Sequence, residues 1–390
     1  MHKKKVVEQA IAVFGESGSG KSVLVSSFYG ATQEPTSIEN NLYTVSAASG
    51  QHNRLFQDYL GMRDYARLPD TTRFEATSYS FSIKLKKPPP LKKTRSKSVE
   101  TLRLVWHDYP GQWFEQDVSG DQEAQRRVDT FRNLLESDVA LLLVDAQRLI
   151  DNQGQESKYL KSLFANVRNG LAALKDQLLP DGKPLDQFPR IWVLALSKSD
   201  LLPEMDVRRF RDLVVANAGA DLDQIRATIT EMVEAPDATS VFDDFVILSS
   251  AKFEPERIEV TQSVGLDLIL PLAAVLPLER LSWWQSVGNM PIALMKRLAQ
   301  TDGNKVRFAI VMGLKQAQRF KGRAGAIINF VLMGMASDSV EDLIDAGAKK
   351  LRQVLESATA EHANLIATLA DFRLRLLEAE ETGVLFRRPQ

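Results

Sequence analysis

Short apolar runs alternate with helix-period stretches over roughly the first 275 residues. The run "AIAVF" (10–14) predicts a strand ending in a glycine-rich turn. "KSVLVSSFY" (21–29) predicts a helix, with Gly30 as its stop. "TSYSFSIKL" (77–85) and "ETLRLVWHD" (100–108) alternate polar and apolar residues, as half-buried strands do. The Pro- and Lys-rich "KKPPPLKKTRSKS" between them makes the pair a hairpin with a basic tip. "DVALLLVDA" (138–146), "RIWVLALSKSD" (190–200) and "DDFVILSSAK" (243–252) are near-continuous apolar runs, suited to parallel strands buried on both faces. Between them, Val128, Phe131, Leu134 and Leu135 share one helical face. So do Leu160, Leu163, Phe164, Val167, Leu171 and Leu174 within 156–178. The pattern predicts an α/β fold: a mostly parallel sheet with one antiparallel hairpin strand and helices on both faces.

Two regions break this rhythm. Residues 31–70 form a long insertion between the first helix and the second strand, with a candidate helix in "HNRLFQDYLGMRDYARL". From residue 276 the alternation fades, and 276–390 reads as a mainly helical C-terminal domain after a first domain of residues 1–275. Leu351, Leu355, Ala358, His362, Leu365, Leu369, Phe372 and Leu376 form a heptad-like seam, read first as packing within the chain and second as a dimeric coiled coil.

Composition narrows the chemistry. The 390 residues carry a net charge of −1, so no global field recruits nucleic acid or a membrane. The absence of cysteine excludes disulfides, thiolate metal sites and thiol catalysis, and fits a cytoplasmic location. With four scattered histidines, a His-based metal site is not expected. No run of 18 or more apolar residues exists, so no membrane span is expected.

The stretch "GESGSGKS" fits G-x-x-x-x-G-K-[ST], a phosphate-binding loop between strand and helix. Its glycines let backbone N–H groups turn toward phosphate oxygens. Gly15, Glu16, Ser17, Gly18, Ser19, Gly20, Lys21, Ser22 and Val23 are therefore candidate nucleotide contacts. Lys21 would bridge the terminal phosphates and Ser22 would offer its hydroxyl to Mg2+. The loop does not choose a base. Asp200, in "SKSD" at the carboxyl end of a buried strand, can accept from the N1–H and exocyclic amine of guanine. Adenine would leave that carboxylate unpaired. Lys198 can lay its stem over the base. The "SSAK" stretch, with Ser250, Ala251 and Lys252, can bring a backbone amide to the guanine oxygen. Asp108, in "DYPG" at the end of the strand after the hairpin, would hold Mg2+, and the Gly111 amide could touch the third phosphate. Gln112 could orient the attacking water. Thr72, or alternatively Thr71, could close over Mg2+.

This ordered set, GESGSGKS, DTTR, DYPG, SKSD and SSAK, resembles the five G motifs of the translation-factor-related (TRAFAC) class of P-loop GTPases. "TTR" and "D-x-P-G" are similar to the Era and TrmE group of bacterial GTPases, whereas Gln112 directly after the motif glycine resembles the Ras and Arf group. The resemblance covers about residues 8–275. It implies a Ras-like domain holding GTP or GDP with Mg2+, slow hydrolysis of GTP, and switching between two states. Ser197 departs from the usual Asn or Thr, and the insertion and basic hairpin tip are unusual.

The tip residues Lys84, Lys86, Lys87, Lys92, Lys93, Arg95 and Lys97 could grip a phosphate backbone or an acidic partner, but no aromatic residues for base stacking accompany them. A solvated loop is the favoured reading, and nucleic acid is not the favoured partner. Trp113 and Phe114 read equally as a gated contact surface or as core, and Trp283 and Trp284 read as interdomain core. The partner expected is a protein effector or regulator, with self-association through the switch face or the C-terminal helices as a further route. A GTP-hydrolysing switch leads. A nucleotide-holding scaffold with little hydrolysis is the alternative, and an ATPase motor or transporter subunit comes third.

Overall fold

The structure, a computed structural model, describes residues 6–69, 77–86, 101–109, 111, 120, 123, 125, 127–129, 137–179, 182–185, 191–233, 239–254, 256–277, 279–280 and 363–388. Thr71, Thr72, Gln112, Trp113, Phe114, Trp283, Trp284 and the hairpin tip from Lys87 to Lys97 lie outside these residues.

The apolar runs become the strands of one sheet. In chain order these are β1 (Val6–Phe14), β2 (Tyr43–Ala47), β3 (Thr77–Leu85), β4 (Thr101–Asp108), β5 (Val139–Asp145), β6 (Ile191–Ser197) and β7 (Ser240–Ile247). A small hairpin, β8 (Lys252–Glu254) and β9 (Arg257–Glu259), stands apart, and β10 (Leu385–Phe386) completes the sheet. The eight-stranded order is β10-β7-β6-β5-β1-β4-β3-β2. Strands β7, β6, β5, β1 and β4 pair in parallel. The hairpin strand β3 runs against them, and so does β10 at the far edge. β2 pairs antiparallel to β3. The fold is α/β with a mostly parallel sheet, as the alternation predicts.

The helices are α1 (Lys21–Gln33), α2 (Pro35–Asn40), α3 (Gln51–Tyr65), α4 (Ala146–Asp151), α5 (Glu156–Leu178), α6 (Val207–Thr230), α7 (Ile269–Ala274) and α8 (Ala363–Glu381). Successive strand residues face opposite sides, so a strand apolar at every position needs a cover on both. Ile11 and Val13 of β1, with Leu141 and Leu143 of β5, join the core under α1, α7 and α8. Ala12 and Phe14, with Leu142 and Val144, join the opposite core under α5 and α6. Leu160, Leu163, Phe164, Val167 and Leu171 are the buried stripe of α5, at the spacing the sequence predicts.

Gly30 does not stop α1, which continues to Gln33. It makes room instead: a Cβ there would lie 2.0 Å from the Tyr59 ring of α3. The insertion is ordered as α2, β2 and α3, with α3 packed on α1 and on the β8–β9 hairpin through Tyr59, Met62, Ile258 and Val260.

The described end of the 276–390 region returns to this same sheet. Leu369, Phe372 and Leu376 of the heptad-like seam are buried in the core under α7, and β10 adds to the edge of β7. These three seam positions therefore pack within the chain; Leu351, Leu355, Ala358 and His362 lie outside the described residues.

Charges lock this return. Arg280 places one nitrogen 2.7 and 3.0 Å from the two oxygens of fully buried Asp244 on β7. The Arg388 backbone N–H donates to Asp244 at 3.0 Å. Glu279 takes Arg387 at 2.6 Å and Arg373 of α8 at 3.4 Å.

Burial also sets an alkaline limit. It is the chief cause raising the phenols of Tyr43, Tyr59 and Tyr79, the first and last to about 12. An unfolded tyrosine ionises near pH ~10. The stabilisation from a phenol held neutral is therefore complete below about pH 10 and is lost as pH rises toward 12. Cooperative unfolding in that window is expected, read by circular dichroism, with the buried phenols ionising as the fold is lost. Ionisation of Tyr43 or Tyr79 with the fold intact would contradict it.

Candidate functional site

The carboxyl ends of β1, β4, β5 and β6 converge on one corner, the edge of an open α/β sheet where ligands bind. The phosphate-loop sequence leaves β1 there. Gly18 and Gly20 have φ of +81° and +91°, which side-chain-bearing residues rarely adopt, and Gly20 leads directly into α1. Lys21 is buried, its Nζ donating to the carbonyls of Gly15 at 2.8 Å and Glu16 at 2.9 Å. The loop thus forms a turn closed over its own lysine, with the start of α1 directed into it.

β4 pairs with β1 so that Asp108 lies opposite Val13. The Ser22 hydroxyl donates to Oδ2 of Asp108 at 3.0 Å. Oδ1 of Asp108 is buried and has no hydrogen-bond partner among the described residues. Burial pushes this carboxyl above its ordinary range, and Lys21 opposes that push. A hydroxyl beside a desolvated carboxylate oxygen fits a divalent cation that takes its other ligands from phosphate and water. Among the described residues, no cluster of three or more His, Cys, Asp or Glu suits a metal. Gly111 presses on the loop from above: a Cβ would lie 2.2 Å from the Ser17 nitrogen and 2.4 Å from the Glu16 carbonyl carbon.

The second half of the corner lies beyond β6. Lys198 has a left-handed backbone, φ +55°, and its Nζ sits 2.7 Å from Oδ2 of Asp145. Asp145 ends β5 and caps α4, its Oδ1 accepting from the Gln147 N–H at 2.9 Å. Asp200 accepts on Oδ2 from the Phe253 N–H at 3.2 Å. Oδ1 lies 2.6 Å from the Ser249 hydroxyl, which is equally close to the Ala251 carbonyl, so one proton serves two acceptors. The Ser197 hydroxyl donates to the Val144 carbonyl at 3.3 Å. Ala251 is fully buried, and Lys252 is exposed beside Glu254.

A cavity of about 300 Å3 joins the two halves. Gly18, Val23, Lys198, Asp200, Ser250 and Phe253 are among its lining, and so is Leu68 from the insertion. The volume is at the lower end for sites that enclose a small molecule.

Two positions, Arg148 and Asp145, were missed by sequence reasoning, as was the contact that Ser249 of the "SSAK" stretch makes with Asp200. Arg148 of α4 reaches Glu16 at 2.9 Å and the Ser17 carbonyl at 3.3 Å, bracing the loop from outside. Asp145 holds Lys198, and Ser249 holds Asp200. The signal for Asp145 was visible, an acid closing the apolar run "VALLLVD" at the sheet's carboxyl edge.

No family model and no curated protein matches the chain. Among solved structures, the chain is similar to the signal recognition particle receptor SRb-GTP/SRX complex from Chaetomium thermophilum. That match has 16% identity and a TM-score of 0.33, covering 64% of this chain and 93% of that one. A second similarity is to Era from Aquifex aeolicus bound to GDP and an aluminium fluoride, at 16% identity and a TM-score of 0.24, covering 62% and 51%. A third is to the S. cerevisiae Ski7 GTPase-like domain bound to GTP, at 12% identity and a TM-score of 0.29, covering 62% and 43%.

Proposed function

We propose that this chain binds GTP and GDP and hydrolyses GTP as a slow molecular switch. The observation that carries the reading is Asp200. Each of its carboxylate oxygens holds one internal contact, at the rim of a cavity continuous with a phosphate loop. A carboxylate has about four acceptor sites, so two remain for the N1–H and exocyclic amine of guanine. Asp145 keeps the Lys198 stem in place beside them.

At the phosphate end, loop N–H groups and Lys21 would hold the β- and γ-phosphates. Ser22 and Asp108 would hold Mg2+, which neutralises charge on the phosphates when bound. The chain then works by positioning and charge, with no covalent intermediate. Gln112 is assigned the orientation of the attacking water and Thr72 the closure over the metal side, by their places in the motif order. The third phosphate would be sensed through Gly111, which already presses on the loop backbone. Ala251 would offer its amide to the base, with Ser250 and Lys252 beside it. The helical end would report the nucleotide state to a protein effector, because α8 and β10 share a core with the sheet that carries the site. No described helix is long and apolar enough to cross a membrane.

Single-turnover hydrolysis tests the enzymatic half. With Mg2+ and GTP, the full chain should release phosphate in one exponential phase, slowed about tenfold or more by Gln112→Leu. No phosphate release despite tight GTP binding would replace the switch with a nucleotide-holding scaffold.

A further inference from the structure

The insertion carries a cation, Arg54, whose charge reaches Asp108 at the end of β4. Helices α1 and α3 pack against each other. The Ser26 hydroxyl meets Asp58 at 3.4 Å, Gly30 lies under the Tyr59 ring, and Glu34 takes both the Tyr59 hydroxyl and Arg63 at 3.0 Å. Residues four apart share a helix face. One turn back from Ser26 and Asp58 stand Ser22 and Arg54. The start of α3 is fixed independently. Gln51 donates to the Ser78 carbonyl at 2.7 Å and accepts from the Ser80 N–H at 2.9 Å. Those residues belong to the end of β3 where Thr77 pairs with Asp108. These contacts, with the Arg54 charge acting on Asp108, place Arg54 beside the Ser22–Asp108 corner.

Arg54 is exposed, and no hydrogen bond or ion pair to another described residue engages its guanidinium. Arg63 of α3 and Arg148 of α4 are each tied to a carboxylate. The Arg54 charge acts on both Asp108 and Tyr79. Leu68, just past the end of α3, lines the cavity itself, so the insertion borders the site.

We infer that Arg54 is a catalytic residue supplied by the insertion, contacting the terminal phosphate of a bound nucleoside triphosphate. The inference rests on the nucleotide reading above. Attack by water forms one P–O bond as the bridging P–O bond breaks. The electron pair stays on the terminal oxygen of the diphosphate, and the water's proton leaves with inorganic phosphate. Arg54 exchanges no proton. Its planar N–H donors hold the negative charge that spreads over the phosphoryl oxygens.

The test compares the full chain with Arg54→Ala and Arg54→Lys, using GDP, a non-hydrolysable GTP analogue and GTP. Arg54→Ala should weaken the analogue about tenfold and leave GDP within about twofold. It should slow single-turnover hydrolysis about a thousandfold, with Arg54→Lys restoring only part of the rate. Both variants should unfold at the wild-type temperature, because the side chain is exposed. Unchanged rate and analogue affinity would overturn the inference, as would equal weakening of GDP and analogue. If the wild type binds no guanine nucleotide, the nucleotide reading has failed first, and the role of Arg54 falls with it.

Discussion

Replacing Lys21 by alanine should remove nucleotide binding while leaving the fold in place. In the structure the ammonium group donates to the Gly15 and Glu16 carbonyls and lies 3.4 Å from the Ser19 hydroxyl of the same loop. With a triphosphate bound, the same group would meet phosphate oxygens through charge-assisted hydrogen bonds, each contributing about 1.5–3 kcal/mol. Losing two such bonds weakens GTP on the order of a hundredfold to ten-thousandfold. Titration of a fluorescent GTP analogue would measure the loss. Thermal unfolding without nucleotide should change little, because the loop carbonyls can turn to water. Retained affinity would mean that "GESGSGKS" is only a strand-to-helix turn.

The second large effect is on stability. Asp244→Ala should destabilise the chain by about 3–5 kcal/mol, because it strands the Arg280 guanidinium in the interior. The carboxylate also takes the Arg388 N–H, so its loss frees both roots of the C-terminal return. Denaturant unfolding would read the shift. A matched control separates charge from packing: Asp244→Leu combined with Arg280→Met removes both charges and should recover most of the loss. Equal destabilisation by the single and double variants would mean that shape, not the stranded charge, sets the cost.

How far these features can be read from the sequence depends on whether a local pattern encodes them. β5 and β6 are legible because strands buried on both faces must be apolar throughout, and "VALLLVD" and "IWVLALS" are. α5 is legible because its buried side repeats with the helical period. The phosphate loop is legible because positive φ demands glycine at fixed offsets. Gly30 misled, because a glycine after an apolar helix signals a stop, whereas here a ring from α3 needs its space. The Asp244–Arg280–Arg388 lock is invisible locally, since its members lie 36 and 144 positions apart. Arg148 bracing Glu16 has the same character. Nothing in the residues around either marks the partner. The same holds for Arg54, whose neighbours in "QHNRLFQDY" give no hint that α3 packs on α1.

The central claim is guanine selection by Asp200, and competition between GDP and ADP for the full chain tests it most directly. GDP should bind at least about a hundredfold more tightly than ADP, because adenine leaves the Asp200 carboxylate unpaired. Asp200→Asn should erase that preference while leaving the phosphate loop able to hold either nucleotide weakly. Equal affinity of the wild type for GDP and ADP, or an unchanged preference in Asp200→Asn, would contradict the account.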